Sequence, residues 1–202
     1  MFITFEGPEG CGKSTHSKKL KTYLESRGSL TLLTQEPGGT MVGRQIRSLL
    51  LNPESVLDET TEVYLFAADR SEHVSKIILP ALREGKVVIC DRYIDSTLAY
   101  QVGGRGLPED LVRYLNMISS KGLLPEITFL LDVSPEIGLA RAASKGEADR
   151  FEQEELTFHK KVRDYYLKIA AQDAGRIKVI KTDNKDIEVI QSEIRKMIDE
   201  KL

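Results

Sequence analysis

Phe2-Ile-Thr-Phe-Glu-Gly7-Pro-Glu-Gly10-Cys-Gly12-Lys13-Ser14-Thr15 is the stretch on which the fold turns. Its apolar run at 2–5 reads as a buried strand. The run breaks into G-x-x-x-x-G-K-S at 7–14, and a helical pattern follows from 13 to about 27. Strand, glycine loop and helix in that order are the context a phosphate-binding P-loop requires. Gly7, Gly10 and Gly12 let backbone N–H groups turn inward as a nest for phosphate oxygens, and the helix N-terminus adds partial positive charge there. Lys13 suits the β- and γ-phosphates, and the Ser14 hydroxyl suits a magnesium ion. The stretch predicts a nucleoside triphosphate site rather than an ordinary glycine turn.

Outward from this loop, short β-branched runs alternate with longer helical patterns. Strands are predicted at 2–5, 30–34, 87–90, 128–132 and 177–180, and helices near 13–27, 41–51, 59–83, 109–120, 135–144, 152–173 and 186–200. Such alternation argues for crossover units: an α/β fold of three layers, with a five-stranded parallel sheet and helices on both faces. Ligands then sit beyond the carboxyl ends of the strands. The 202 residues, 41% hydrophobic and 30% charged, suit one globular domain. A net charge of -2 gives no basic field for a nucleic acid. No secretory signal or membrane-length apolar run is read, and two cysteines make neither a disulfide framework nor a zinc site. A reducing cytoplasm is the expected compartment.

Residues just past the strands are the next candidates. Gln35-Glu36-Pro37-Gly38-Gly39-Thr40 forms a turn cluster, followed by a helix with Arg44 and Arg47 three apart. Charge pattern alone allows a solvated face for both. Phe66 and Arg70 lie i, i+4 on a long helix, so they are expected to stack over one another. They could hold a nucleobase, or be a core ring beside a surface cation. Asp91 tips an apolar strand, where a carboxylate supporting a magnesium shell belongs, and Arg92 follows at once as a phosphate grip. Gly103-Gly104-Arg105-Gly106 reads as a flexible loop. Arg141, Lys145, Asp149 and Arg150 form a charged segment that fits either a lid over phosphates or a solvated connection.

Together these blocks resemble the thymidylate kinase family, bacterial type, within the P-loop nucleoside monophosphate kinases. The resemblance runs through Phe5–Thr15, Glu36-Pro-Gly-Gly-Thr40, Phe66-Ala-Ala-Asp-Arg70, Asp91-Arg-Tyr93 with Ser96 and Ala99-Tyr-Gln101, Gly104-Arg-Gly106 and Gly146-Glu-Ala-Asp-Arg-Phe-Glu152. It implies ATP in the loop of Gly7, Pro8, Glu9, Gly10, Cys11, Gly12, Lys13, Ser14 and Thr15, with magnesium on Ser14 and Asp91. It implies thymidine monophosphate (dTMP) with its phosphate on Arg92 and its base on Phe66. Arg70 is then directed at a thymine carbonyl, Arg47 and Glu36-Pro37 are nearby, and Glu9, Ser96, Tyr100 and Gln101 make polar or sugar contacts. Lid cations would come from Arg141, Lys145 and Arg150 in a segment of about 141–152; by position, the segment after the last strand, around Lys181 to Asp183, and Arg141 are the candidates for adenine contacts. A homodimer through the helices near 41–51 and 59–83 is also implied.

Two positions depart from the family pattern. Lys145 stands before Gly146, where an arginine is common, and lacks the guanidinium fork. Cys11 sits inside the loop at a helix N-terminus, which allows either an oxidation-sensitive thiol or an inert filler. Kinases for uridylate or cytidylate, a deoxynucleoside kinase with Glu36 as base, and a P-loop switch are the competing readings. The chain shows no N-K-x-D run for guanine.

Overall fold

The computed structural model describes residues 1–144 and 148–201. Five strands form one parallel sheet: β1 (Phe2–Glu6), β2 (Thr31–Gln35), β3 (Val87–Asp91), β4 (Ile127–Asp132) and β5 (Ile177–Lys181). Their order is β2-β3-β1-β4-β5, so the chain steps outward from β1 in both directions. The register sets Phe5 beside Asp91, and Asp91 beside Gln35. The phosphate loop, the Asp91 tip and the turn at 35–40 therefore leave the same edge of the sheet.

Side chains alternate across the strands, as the pleat requires. Ile3, Phe5, Ile89, Phe129 and Leu131 bury into one core with Leu20 and Leu24 of helix α1 (Lys13–Ser26) and with Ile190, Ile194 and Ile198 near the C-terminus. Phe2, Val88 and Cys90 face the other way. That side is covered by α2 (Met41–Leu51), α3 (Glu59–His73), a π-helical turn at Val74–Ile78, α4 (Leu79–Arg83), α5 (Ile94–Thr97), α6 (Glu109–Ser120) and α8 (Leu156–Gln172), while Ile137 of α7 (Pro135–Ala143) packs on the first core. Helix α9 (Ile187–Asp199) returns to the first face. The three-layer expectation holds.

Two expectations about helices change. The pattern at 59–83 is one run to the eye, yet it passes through the π-helical turn between α3 and α4. The supposed flexible loop at 103–106 begins as the end of a second π-helical segment, Leu98–Gly104, continuous with α5. Its glycines serve close packing. A Cβ on Gly104 would lie 2.4 Å from the Phe158 ring, and one on Gly103 would lie 2.5 Å from Tyr165 Cβ, both on α8. Another close approach links the phosphate loop to α7. A Cβ on Gly10 would lie 1.9 Å from the Gly138 carbonyl oxygen, and one on Gly138 would lie 2.3 Å from the Glu9 carbonyl.

Candidate active site

The phosphate loop bends through positive φ at Gly7, Gly10 and Gly12 before α1 begins at Lys13. Lys13 curls back, and its ammonium donates to the carbonyls of Gly7 (3.0 Å) and Pro8 (2.8 Å). At the next residue, the Ser14 hydroxyl donates to Asp91 Oδ2 at 2.6 Å. The two residues expected to serve a magnesium ion are thus in contact. Both are hard oxygen donors, and a pair of them fits a Mg²⁺ that takes its remaining ligands from nucleotide phosphates and water.

Arg92, next along, has φ 69, a left-handed conformation unusual for a side-chain-bearing residue. The turn is held on both sides. Arg92 N–H donates to the Phe5 carbonyl at 2.9 Å, and Tyr93 N–H donates to Glu6 Oε1 at 2.7 Å. The guanidinium reaches Glu9 Oε1 (2.5 Å), the Tyr100 hydroxyl (3.2 Å) and the Gly7 carbonyl (3.3 Å). Burial would raise the Glu9 carboxyl, but Arg92, Lys13 and the Tyr100 hydroxyl outweigh it and hold the pKa at about 2. Burial with the charge of Asp95 pushes Glu6 the other way, to about 7.

These groups border a cleft of about 350 Å³, ample for a nucleotide. Glu9, Lys13, Ser14, Thr15, Asp91 and Arg92 line it together with Glu36, Pro37, Arg47, Phe66, Arg70, Ser96, Tyr100 and Gln101. Arg47 is aimed by α2, whose first turn is capped by Thr40 Oγ1 accepting from Gly43 N–H, and its guanidinium donates to the Pro37 carbonyl at 2.9 Å. Arg70 is 2% exposed. It donates to Glu36 Oε2 (2.8 Å), Asn116 Oδ1 (2.6 Å) and Thr97 Oγ1 (2.9 Å). His73 shares the Glu36 carboxylate from the far side at 3.0 Å. Three of Arg70's five N–H groups are occupied by these bonds.

A family model described as thymidylate kinase matches residues 5–194. The chain is 48% identical over 188 residues to a thymidylate kinase of Desulfosudis oleivorans, covering 89% of this chain and 88% of that one. It is 43% identical over 203 residues to one from Symbiobacterium thermophilum, covering 100% and 94%. A solved thymidylate kinase from Ehrlichia chaffeensis superposes with a TM-score of 0.82 at 37% identity over 98% of both chains. The chain belongs to the thymidylate kinase family. It is accordingly a nucleoside monophosphate kinase.

Several site expectations for this family member need correcting. Phe66 and Arg70 line one cleft but do not stack on each other. The Arg70 guanidinium lies 5.2 Å over the Tyr93 ring, and Phe66 packs on Phe151 with centroids 6.0 Å apart. Arg141 donates to the carbonyls of Thr182 (3.3 Å) and Asp183 (2.8 Å). That sets its guanidinium against the segment after β5 and not among the residues lining the cleft. Arg150 also faces away from the cleft: its Nε donates to the Leu50 carbonyl at 2.8 Å, and its Nη2 lies 2.6 Å from Glu62. Lys181 is exposed at the end of β5 and takes no part in the cleft. Lys145 and Gly146 lie outside the described residues. Cys11 is 2% exposed, and burial pushes its thiol up despite Lys13 and Arg92, so the inert-filler reading stands.

Sequence reasoning missed Thr97, Asn116, Phe151 and Tyr166, which touch Arg70, Phe66 or Arg92. It also passed over Glu6. A charged residue closing the apolar run of β1 was the available signal.

Proposed function

We propose that this cleft performs the family reaction, phosphorylating thymidine monophosphate to the diphosphate with ATP, by the following division of labour. The loop N–H groups and Lys13 hold the donor's phosphates. Ser14 and Asp91 hold magnesium, which when bound screens the phosphate charges and orients the donor. Arg92 takes the acceptor's phosphate, while Phe66, Arg70 and Thr97 border its base. The acceptor phosphate has a second pKa near about 6, by analogy with phosphorylated side chains, and is largely dianionic at neutral pH. No general base is needed, and the task of the protein is to bring two polyanions into line and offset their repulsion.

The observation that carries this reading is the shared cleft of Ser14, Asp91 and Arg92 with Phe66 and Arg70. Glu36 speaks against the deoxynucleoside kinase reading, because its carboxylate is 4% exposed and committed to Arg70 and His73. Arg70 can only donate, which suits a thymine or uracil carbonyl and opposes the amino group of cytosine. The thymine methyl is worth only about 1–3 kcal/mol, so preference over deoxyuridylate should be partial.

A coupled ADP-release assay across the monophosphates of thymidine, deoxyuridine, uridine and deoxycytidine tests the assignment. Turnover should be best with thymidylate, and equal use of deoxycytidylate would refute it. The chain is further read as one kinase domain working as a homodimer in the cytoplasm. Among the described residues no helix is long and apolar enough to cross a membrane. Met41, Val42 and Leu49 of α2 and Tyr64 of α3 are exposed apolar side chains that support pairing through these helices. Light scattering should give twice the chain mass, and a Tyr64→Glu variant should shift toward the monomer.

A further inference from the structure

Glu6 is a carboxylate with no exposed surface at the end of β1, and the P-loop chemistry leaves it without a task. Both its oxygens face donors. Oε1 accepts Tyr93 N–H at 2.7 Å, directly after the left-handed turn at Arg92. Oε2 accepts the Ser96 hydroxyl at 2.5 Å and lies 3.1 Å from the Tyr166 hydroxyl. The two hydroxyls are 2.7 Å apart, and Arg92 Nη1 lies 3.3 Å from Ser96 Oγ and 3.4 Å from Tyr166 Oη.

Proton counting fixes the direction of this chain. Arg92 only donates, so a hydroxyl bonded to it accepts; its Nη1 shares two N–H groups among Ser96 Oγ, Tyr166 Oη and the Gly7 carbonyl at 3.3 Å. Each hydroxyl has one proton to give. Tyr166 gives its own to Ser96 or Glu6, and Ser96 gives its own to Glu6. The bonds through the two hydroxyls thus run from the guanidinium to the Glu6 carboxylate, which ends them.

We propose that Glu6 is a positioning residue for the acceptor nucleotide: by fixing the turn at Arg92 and ending the hydrogen-bond chain through Ser96 and Tyr166, it holds the Arg92 guanidinium where the acceptor phosphate must arrive. The proposal rests on the reading of Arg92 as the phosphate grip.

Glutamine has nearly the same shape as glutamate but only one acceptor oxygen. With that oxygen toward Tyr93 N–H, its amide N–H groups meet the two hydroxyls and turn their protons back on Arg92, donor against donor. Flipping the amide moves the conflict to Tyr93 N–H. Glu6→Gln should therefore disturb Arg92 without a change of volume.

The test is steady-state kinetics of the full chain at about pH 8, where the carboxyl is ionised, with melting temperatures alongside. Glu6→Gln should raise KM for thymidylate about tenfold or more, with KM for ATP changed less than about twofold. Tyr166→Phe, which removes one link and leaves Glu6 intact, should raise KM for thymidylate about threefold, and it decides the matter alone if Glu6→Gln does not fold. Neither change should have a further effect on that KM in an Arg92→Ala background. Equal rises for both nucleotides, or the same rise with Arg92 already removed, would overturn the proposal. Silent Glu6→Gln and Tyr166→Phe variants beside a damaging Arg92→Ala would overturn it alone. An Arg92→Ala enzyme with unchanged thymidylate KM would instead remove the phosphate-grip reading and this proposal with it.

Discussion

Replacing Arg70 by alanine tests whether the residue that borders the base is also a pillar of the fold. The guanidinium is 2% exposed, and the Glu36 carboxylate opposite it is 3% exposed at the side chain. Truncation leaves that carboxylate with His73 as its side-chain partner among the described residues, and strips Asn116 Oδ1 and Thr97 Oγ1 of the Arg70 donors. Breaking a buried pair from one side costs about 3–5 kcal/mol, far more than the net worth of the pair, because the surviving charge stays buried. For a chain of this size each kcal/mol moves the melting temperature by about 2–4 °C, so the expected fall is roughly 6–20 °C. The assay is urea or thermal unfolding at one fixed protein concentration, since any self-association would add to the apparent stability. Arg70→Lys provides the contrast. It restores a positive charge near Glu36 but not the fork to Asn116 and Thr97, so its loss should be smaller while thymidylate KM still rises. A stability loss below about 1 kcal/mol in Arg70→Ala would show that Glu36 does not depend on this partner, and the argument would fail.

Other perturbations follow from the same geometry. Asp91→Asn should lower kcat about hundredfold or more by weakening the magnesium pair with Ser14, while thymidylate KM changes little; near-normal turnover would exclude Asp91 from that shell. Two carboxyls, Glu6 buried and Glu9 half-buried at the cleft, should oppose each other in stability against pH. Glu6, raised from 4.5 to about 7, binds a proton more tightly in the folded chain, so its contribution of about 3 kcal/mol is present below pH 4.5 and lost as pH rises to 7. Glu9, lowered to about 2, contributes above pH 4.5 and loses that contribution as pH falls toward 2. Urea titrations should show wild type losing stability relative to Glu6→Gln between pH 4.5 and 7, and parallel curves would contradict the assignment. Peroxide should leave activity intact, because the Cys11 thiol is buried and protonated; inactivation that Cys11→Ser abolishes would reverse that conclusion.

What the sequence made legible was whatever depends on neighbours along the chain. The glycine loop, the five strands and Asp91 at a strand tip all follow from local pattern, and each stands where it was expected. The failures share one cause: a partner from a distant element. Spacing on one helix paired Phe66 with Arg70, but Phe151 and Tyr93 arrive from elsewhere and take them apart. Gly103 and Gly104 suggested a loop because nothing nearby in sequence announces Phe158 and Tyr165. The charge pattern around Arg141 and Arg150 fits a lid or a solvated connection equally, and it gives no hint of the backbone carbonyls at 182, 183 and 50 that hold them. Carbonyls leave no trace in composition.

Gly138 deserves the last consideration for anyone wishing to toughen this enzyme. It sits inside an ordinary-looking helix, where alanine in its place would normally add about 1 kcal/mol. Here that exchange would drive a methyl group to within 2.3 Å of the Glu9 backbone carbonyl in the phosphate loop, and because the obstacle is main chain, no second side-chain change could shrink to make room. A routine stabilising edit at this position would thus damage the enzyme at the seat of its chemistry.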